Sequence, residues 1–166
     1  KCIIWDLDNT LWDGVLIEDK EVYVKEEFIS LIKHLDACGI VSSIASKNTE
    51  EQVRHKLEEL GILDYFVFSK INWEPKSLNI KRIIRQMNIN PDTMVFVDDN
   101  PFERLEVSQQ EARLTCIDPT ELLDFVKCDR FNMVVTEDSR NRRQTYKMLE
   151  NLKKEEEEWE GNIDDF

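Results

Sequence analysis

The sequence lacks a long apolar run, an excess of basic residues and any closely spaced pair of cysteines. No apolar stretch approaches the ~20 residues that a membrane-spanning helix needs, and the opening KCIIWDLD lacks the basic, apolar and small-residue regions of a signal peptide. Lys and Arg number 22 against 35 Asp and Glu, and the formal net charge of −13 opposes binding to nucleic acid or anionic membranes. We therefore expect a cytoplasmic protein that binds neither a nucleic acid nor a membrane.

The four cysteines are widely spaced, at Cys2, Cys38, Cys116 and Cys128. In a chain of 166 residues without a C-x-x-C pair, this spacing is typical of reduced core residues rather than of a disulfide framework or a zinc site. The length and the 41% apolar content suit one compact domain with a substantial core.

Short apolar runs alternate with amphipathic segments over most of the chain. The apolar runs predict strands over residues 2–5, 40–45, 65–68, 94–97 and 113–116. Apolar residues at helical spacing predict helices over residues 26–38, 49–60, 77–87 and 121–125, with another that starts near residue 101. Because parallel neighbours require crossover connections, this alternation predicts a Rossmann-like α/β fold, in which a parallel sheet is flanked by helices on both faces.

The last part of the chain is highly charged. We expect the α/β core to span residues 1–128 and a charged C-terminal helical tail or linker to span residues 129–166. Thr136 can cap one long helix that runs to about Trp159. A solvated helix that makes no specific contact is the alternative.

Carboxylates follow two of the predicted strands. Asp6 and Asp8 come directly after the first strand, and Asp98 and Asp99 come directly after the fourth. Ligands of parallel sheets bind beyond the carboxyl ends of the strands, so these side chains converge if the two strands are neighbours. Because clustered carboxylates repel one another, and because oxygen ligands favour a hard cation, the pattern predicts Mg²⁺ held by Asp6, Asp8 and Asp98, with Asp99 as a further candidate. Alternatively, Asp99 or Asn100 caps a helix that begins at Pro101.

The order of these motifs resembles that of the haloacid dehalogenase superfamily of phosphotransferases, over residues 1 to 125. The matching strings are D-x-D-x-T at the first strand end, then IASKN, NWEPKSLNI and VFVDDNPFER, which contain Asp6, Asp8, Thr10, Ser46, Lys76, Asp98 and Asp99. The resemblance implies that Asp6 is the nucleophile that becomes an aspartyl phosphate. It also implies that Asp8 protonates the leaving group and then activates water, and these residue types suit that chemistry.

The same resemblance implies a phosphate site. Ser46 and backbone amides would hold phosphoryl oxygens, Asn48 is a further candidate for this site, and Lys76 would neutralise both the phosphate and Asp6. A role as a strand-end turn residue is the alternative for Ser46. The alternatives to Lys76 are three other lysines, Lys47, Lys70 and Lys81.

Longer strings, among them WDLDNTLWDGVLIED, look like the FkbH-like group of the superfamily, which is found in polyketide and nonribosomal peptide assembly. That likeness implies an acyl phosphate substrate such as 1,3-bisphosphoglycerate and an acyl carrier protein as partner. Many members have a cysteine between the two motif aspartates, where this chain has Leu7. Two other functions stay open: a magnesium-dependent phosphatase that acts on protein or sugar phosphates, and a non-catalytic interaction module.

The predicted site is essentially capless. Between Asp8 and the helix near Glu26 there is room only for a small hairpin flap that contains Trp12, Gly14 and residues 22–24. A site without a lid does not exclude water by itself, which suggests a large substrate or a partner surface as its missing wall. The candidates for the rim that meets this substrate or partner are Thr10, Trp12, Asn72, Trp73 and Arg104.

Overall fold

The computed structural model of the chain describes residues 1–19, 21–127 and 135–162. The strands are β1 (Cys2–Trp5), β2 (Trp12–Asp13), β3 (Tyr23–Val24), β4 (Val41–Ser46), β5 (Lys70–Ile71), β6 (Met94–Val97) and β7 (Thr115–Ile117). The α-helices are α1 (Glu26–Ala37), α2 (Glu50–Glu59), α3 (Lys76–Met87), α4 (Pro101–Gln110), α5 (Pro119–Phe125), α6 (Glu137–Arg140) and α7 (Arg142–Asn162). Short 3-10 turns lie at Leu63–Tyr65 and Pro91–Thr93.

Five parallel strands form the central sheet in the order β5-β4-β1-β6-β7, and β2 and β3 form a separate antiparallel hairpin. Strand β1 is central, with Ile4 opposite Ser43 of β4 and Phe96 of β6. Alternate side chains of β1 enter different cores: Ile3 lies in the cluster that includes Phe28 of α1, whereas Ile4 lies in the cluster with residues of α3. Helices therefore cover both faces, and the predicted α/β fold is confirmed.

Helix α1 shows how the sequence sets this packing. Its buried residues, Phe28, Ile29, Leu31, Ile32 and Leu35, recur at helical spacing and face the sheet. The chain leaves the helix through Gly39 in a left-handed conformation (φ 81°), which glycine adopts without strain. A Cβ at Gly39 would approach the Cβ of Ser139 to 2.9 Å, so this position also allows α6 to pack closely.

The predicted strand over residues 65–68 is wrong in position. Phe66 makes only an isolated bridge to Ser42, and the strand that pairs with β4 on the side away from β1 is β5, at Lys70–Ile71. The interruption lies at Phe68, whose φ of 53° turns the backbone out of an extended conformation. The N–H of Phe68 donates to Glu150 of α7, a partner distant in sequence. The last strand, predicted over residues 113–116, lies at Thr115–Ile117.

The charged tail packs against the core instead of lying free in solvent. Thr136 caps α6 through a capping box with Ser139, but the helix ends at Arg140 and α7 begins at Arg142, so the predicted single helix is divided. Tyr146 and Leu149 of α7 contact the core cluster on the α3 face. The alternative of a helix without specific contacts is therefore wrong for the first half of α7. The predicted boundary at residue 128 lies outside the described residues.

Within the described ranges, no helix is long and apolar enough to cross a membrane. Cys2 and Cys38 are buried free thiols, and Cys116 is a half-buried one. These three fit the prediction of reduced core cysteines, whereas Cys128 lies outside the described residues.

Candidate active site

The parallel sheet brings Asp6 and Asp98 together. The N–H of Asp6 donates to the carbonyl of Val97 at 2.9 Å, which continues the pairing of β1 with β6 beyond the end of β1. The N–H of Asp98 donates to the carbonyl of Ile117 in the same way on the other side of β6. The two carboxylates that the sequence places after separate strands therefore lie at one edge of the sheet, because β1 and β6 are neighbours.

Lys76 joins these carboxylates. It is the first residue of α3, and its Nζ donates to Asp6 Oδ1 at 3.0 Å and to Asp98 Oδ2 at 2.7 Å. All three side chains are at most 7% exposed. The three alternative lysines lie elsewhere: Lys47 pairs with Glu103, Lys81 donates to Gln110, and Lys70 belongs to the edge strand β5. Among these candidates, the structure brings Lys76 to the predicted nucleophile.

Burial makes this cluster electrostatically demanding. It raises the pKa of Asp6 well above the ordinary value; the Lys76 ammonium opposes the shift and the Asp98 charge adds to it. Burial also raises the pKa of Asp98, again against the attraction of Lys76. Burial alone would lower the pKa of Lys76, but the two carboxylates outweigh it and raise that pKa. A further cation would relieve the cost of keeping both carboxylates charged.

A divalent cation fits the donor set. Oxygen atoms of Asp6, Asp98 and Asp99 lie within 4.8 Å of one another. Three carboxylates and one ammonium leave two negative charges, which one divalent ion would neutralise, and an all-oxygen set suits Mg²⁺. Asp99 is free for this role because Asn100, rather than Asp99, caps α4 by accepting the N–H of Phe102.

Thr10 organises the acidic group from within. Its Oγ1 lies 3.1 Å from Asp6 Oδ2 and 3.1 Å from Asp99 Oδ1, and it accepts the N–H of Asp99. Thr10 is fully buried, so it does not lie on the rim as predicted. It is instead the side chain that ties the loop after β1 to the loop after β6.

Asp8 lies outside the acidic group. Its Oδ1 accepts hydrogen bonds from Trp12 Nε1 and from the N–H of Leu16, both at 3.0 Å, and its Oδ2 accepts one from Asn48 Nδ2 at 2.9 Å. The described groups that can hold a metal include the carboxylates of Asp6, Asp98 and Asp99 but not that of Asp8. The structure thus does not bring the Asp8 carboxylate into the predicted metal site, because the flap and Asn48 turn it elsewhere.

Ser46 and Asn48 follow β4 but differ in their partners. Ser46 is buried at the carboxyl end of the strand, and its Oγ has no hydrogen-bond partner among the described residues. Asn48, also buried, donates to Asp8, and its Oδ1 accepts the N–H of Thr49. The contact of Ser46 with a phosphoryl group stays a prediction, whereas the side-chain amide of Asn48 is already engaged with Asp8.

Most of the predicted rim residues have internal partners. Trp12 is fully buried, so its prediction as a rim residue is wrong; an aromatic side chain in a short flap packs into the core instead. Arg104 donates to the carbonyl of Asp98 and pairs with Asp118, so its side chain holds the backbone at the end of β6. Trp73 is 61% exposed, and its place on the rim stays a prediction.

Asn72 contacts Asn79, a residue that the sequence analysis does not single out. Asn72 and Asn79 exchange amide hydrogen bonds at 3.3 and 2.7 Å, and Asn79 is buried in α3. The pair fastens the loop before α3 to the helix that begins at Lys76. The signal in the sequence is an asparagine directly before Ile80, where the buried apolar residues of α3 begin.

Comparison with known proteins agrees with this geometry. The family described as haloacid dehalogenase-like hydrolase matches residues 14–117. The chain belongs to this family. The match begins just after the D-x-D-x-T motif, so the placement of Asp6 and Asp8 rests on the sequence and on the geometry above.

Three similar proteins accompany this family match. The chain is 26% identical over 136 residues to human magnesium-dependent phosphatase 1. That match covers 70% of this chain and 76% of the human protein. A Bacteroides fragilis crystal structure, an N-terminal part that contains a phosphatase domain complexed with Mg, is 35% identical with a TM-score of 0.67. That match covers 82% of this chain and 41% of the other, so this chain spans about two fifths of the solved one. A Legionella pneumophila subfamily III A hydrolase shares the fold at 21% identity, with a TM-score of 0.55 and coverage of 91% and 84%.

Proposed function

We propose that this chain is a Mg²⁺-dependent phosphatase in which Asp6 is phosphorylated and water then hydrolyses the aspartyl phosphate, which releases phosphate and regenerates Asp6. The observation that carries the proposal is the buried Asp6 carboxylate, held by the Lys76 ammonium beside the carboxylates of Asp98 and Asp99. The predicted magnesium cofactor is confirmed by a magnesium-dependent relative, by a solved relative complexed with Mg and by this donor set.

Each side chain has a distinct part in the proposed reaction. A carboxylate oxygen of Asp6 attacks phosphorus as the bond to the leaving oxygen breaks, and Asp8 supplies a proton to that oxygen. Asp8 then takes a proton from the water that hydrolyses the aspartyl phosphate. The Ser46 hydroxyl donates to a phosphoryl oxygen, and Lys76 offsets the charge of Asp6 and the phosphate.

Bound Mg²⁺ would be held by Asp6, Asp98 and Asp99 and would neutralise charge on the phosphoryl group.

The small size of the flap supports a substrate or partner that supplies its own cover. Between Asp8 and α1 the described residues contain only the β2–β3 hairpin as secondary structure, and Trp73 is exposed beside the loop that leads to Lys76.

Phosphate release from a panel of substrates tests the proposal. The panel contains an aryl phosphate, a sugar phosphate, a phosphopeptide and an acyl phosphate, each with Mg²⁺ and with a chelator. We expect Mg²⁺-dependent turnover that Asp6→Asn abolishes. The absence of turnover with every substrate would instead favour the interaction module.

Within this activity, we assign acyl phosphates, such as 1,3-bisphosphoglycerate, as the substrates and an acyl carrier protein as the acyl acceptor. The resemblance of the motif strings supports this assignment, and so does the small flap, because the described residues between Asp8 and α1 form no larger lid than the β2–β3 hairpin. Leu7 replaces the thiol of many FkbH-like members and is fully buried. Cys2 is also buried, and burial raises the pKa of its thiol to about 12, so neither position suits a covalent acyl adduct.

Intact-mass measurement distinguishes this assignment from simple hydrolysis. The protein is incubated with 1,3-bisphosphoglycerate with and without a carrier protein, and both proteins are weighed. Acylation of the carrier without acylation of the enzyme supports the assignment. Release of phosphate with an unmodified carrier contradicts it and leaves the phosphatase proposal standing.

A further inference from the structure

We propose that Trp12 and Asn48 are positioning residues that fix the Asp8 carboxylate so that its Oδ2 is the atom that gives and takes the catalytic proton. This inference rests on the proposed function and specifies how its acid–base group is held. The described residues give Asp8 three hydrogen-bond donors, Trp12 Nε1, the N–H of Leu16 and Asn48 Nδ2, which together form the Asp8 clamp.

The clamp comes from two separate parts of the fold. Trp12 belongs to β2 and Leu16 follows it in the flap, whereas Asn48 follows β4 of the central sheet. Trp12 is fully buried and packs in the core cluster of the α1 face, and Asn48 is 1% exposed. Because both side chains are fixed by packing, the orientation of Asp8 is set before any substrate binds.

The two oxygens of Asp8 are not equivalent. Both donors to Oδ1, the indole Nε1–H of Trp12 and the backbone N–H of Leu16, can donate but not accept. A proton on Oδ1 would face these two hydrogens, so Oδ1 serves only as an acceptor. From the described residues Oδ2 receives one donor, Asn48 Nδ2, and therefore keeps room for a proton.

The orientation of the Asn48 amide is itself fixed. Its Oδ1 accepts the N–H of Thr49 at 3.1 Å, which leaves Nδ2 to face Asp8. In the proposed first step, the proton on Asp8 Oδ2 passes to the leaving oxygen as the phosphorus–oxygen bond breaks. In the second step, the same oxygen accepts a proton from the attacking water, so protons balance over the cycle.

The flap thereby becomes part of the acid–base machinery. Trp12 pairs with Val24 of β3, and the N–H of Lys25 donates to the carbonyl of Leu11, so the hairpin is tied to the start of α1. A flap that held another pose would leave Asp8 Oδ1 without two of its donors. We therefore expect loss of a clamp donor to impair proton delivery more than substrate binding.

Kinetics with two leaving groups test this role. Trp12→Phe keeps an aromatic side chain, with a smaller ring, and removes the Nε1–H donor. For an alkyl phosphate, whose leaving oxygen needs a proton, kcat/KM should fall about tenfold, the usual effect of one lost hydrogen bond. For a p-nitrophenyl phosphate, whose leaving group needs no proton, kcat/KM should change less than twofold. Trp159→Phe, at an exposed tryptophan of α7, is the matched control and should change neither value.

A double-mutant cycle separates positioning from a general structural effect. In an Asp8→Asn background, Trp12→Phe and Asn48→Ala should cause no further selective loss, because the group that they position is absent. Equal losses with both leaving groups, or the same losses in the Asp8→Asn background, would overturn the positioning role. If Asp8→Asn instead lowered kcat/KM equally for the alkyl and the p-nitrophenyl phosphate, the acid role of Asp8 in the proposed function would be refuted.

An NMR measurement tests the clamp without reference to activity. The indole N–H of Trp12 should be protected from hydrogen exchange, and Asp8→Ala should increase its exchange rate at least tenfold. Trp5 supplies the internal control, because its Nε1 donates to Ser42 Oγ and should be unaffected. Unchanged exchange at Trp12, or equal acceleration at both indoles, would refute the contact.

Discussion

Asp6 and Asp8 are the same residue type two positions apart, yet the fold gives them opposite surroundings. Asp6 is buried, in contact with the Lys76 ammonium and close to the Asp98 and Asp99 carboxylates. Asp8 is half-buried and receives its hydrogen bonds from neutral N–H groups. A carboxylate held by charge suits a nucleophile beside a metal, and one held by neutral donors suits a group that exchanges protons. The environment, rather than the residue type, separates the two roles.

Asp6→Asn should cause the largest loss of activity. The substitution keeps the shape of the side chain but removes the nucleophile, so turnover should fall by more than about 10⁴-fold. Steady-state phosphate release measures this loss, and circular dichroism checks the fold. The contrast is Asp8→Asn, which should lose about 10²–10⁴-fold with an alkyl phosphate and much less in kcat/KM with an aryl phosphate. Native activity in a folded Asp6→Asn variant would remove Asp6 from the mechanism.

Removal of Mg²⁺ should act on the acidic group around Asp6 and not on Asp8, which lies outside that group. A metal ion supplies several kcal/mol of transition-state stabilisation, so a chelator should lower activity by more than about 10²-fold, reversibly. Asp98→Asn should raise the Mg²⁺ concentration that restores half the activity, as measured by titration. Asp124→Asn, at a 91% exposed side chain on α5, should leave this concentration unchanged. A chelator-insensitive enzyme would be inconsistent with the acidic group as the metal site.

Lys76→Gln should destabilise the cluster around Asp6. Removing one partner of a buried ion pair leaves an uncompensated charge, which typically costs about 3–5 kcal/mol in the free energy of unfolding. Urea denaturation without metal measures this cost, and added Mg²⁺ should recover part of it. The matched control is Lys81→Gln, one turn later on the exposed side of α3, which should change stability by less than about 0.5 kcal/mol. Similar stability of the two variants would contradict the account of the cluster.

Ser46→Ala should have the smallest effect, confined to the phosphate. The Ser46 hydroxyl has no hydrogen-bond partner in the described parts of the chain, so its removal should not lower stability, but loss of one hydrogen bond to a phosphoryl oxygen should reduce kcat/KM about tenfold. Ser43→Ala is a close control, because Ser43 lies on the same strand, is also buried and likewise has a hydroxyl that no described residue contacts by a hydrogen bond. An equal loss of activity in both variants would argue against a phosphate contact at Ser46.

The sequence predicts those parts of the site that depend on strand ends. Asp6 and Asp98 follow short apolar runs, and the parallel topology brings such positions to one edge whatever the intervening loops do. Lys76 can be predicted for a related reason, because it is the first residue of a helix whose N-terminus lies at the same edge of the sheet.

Other parts depend on contacts that a local pattern does not contain. Phe68 leaves the extended conformation where its N–H meets Glu150, so the strand is displaced to Lys70–Ile71. Trp12 lies in a short flap, so its sequence position suggests a rim residue. The core cluster that buries it includes residues distant in the chain, which a local pattern does not show. The engagement of Asn48 with Asp8 joins two loops that are 40 positions apart in the chain.

Trapping the phosphorylated enzyme tests the division of labour between Asp6 and Asp8 most directly. Asp8→Asn is mixed with Mg²⁺ and an aryl phosphate, which needs no protonated leaving group, and is quenched with acid within the first turnovers. Peptide mass spectrometry should locate one phosphoryl group on Asp6, because the variant forms the aspartyl phosphate faster than it hydrolyses it. A phosphoryl group on another residue, or turnover without any phosphorylated peptide, would contradict the account.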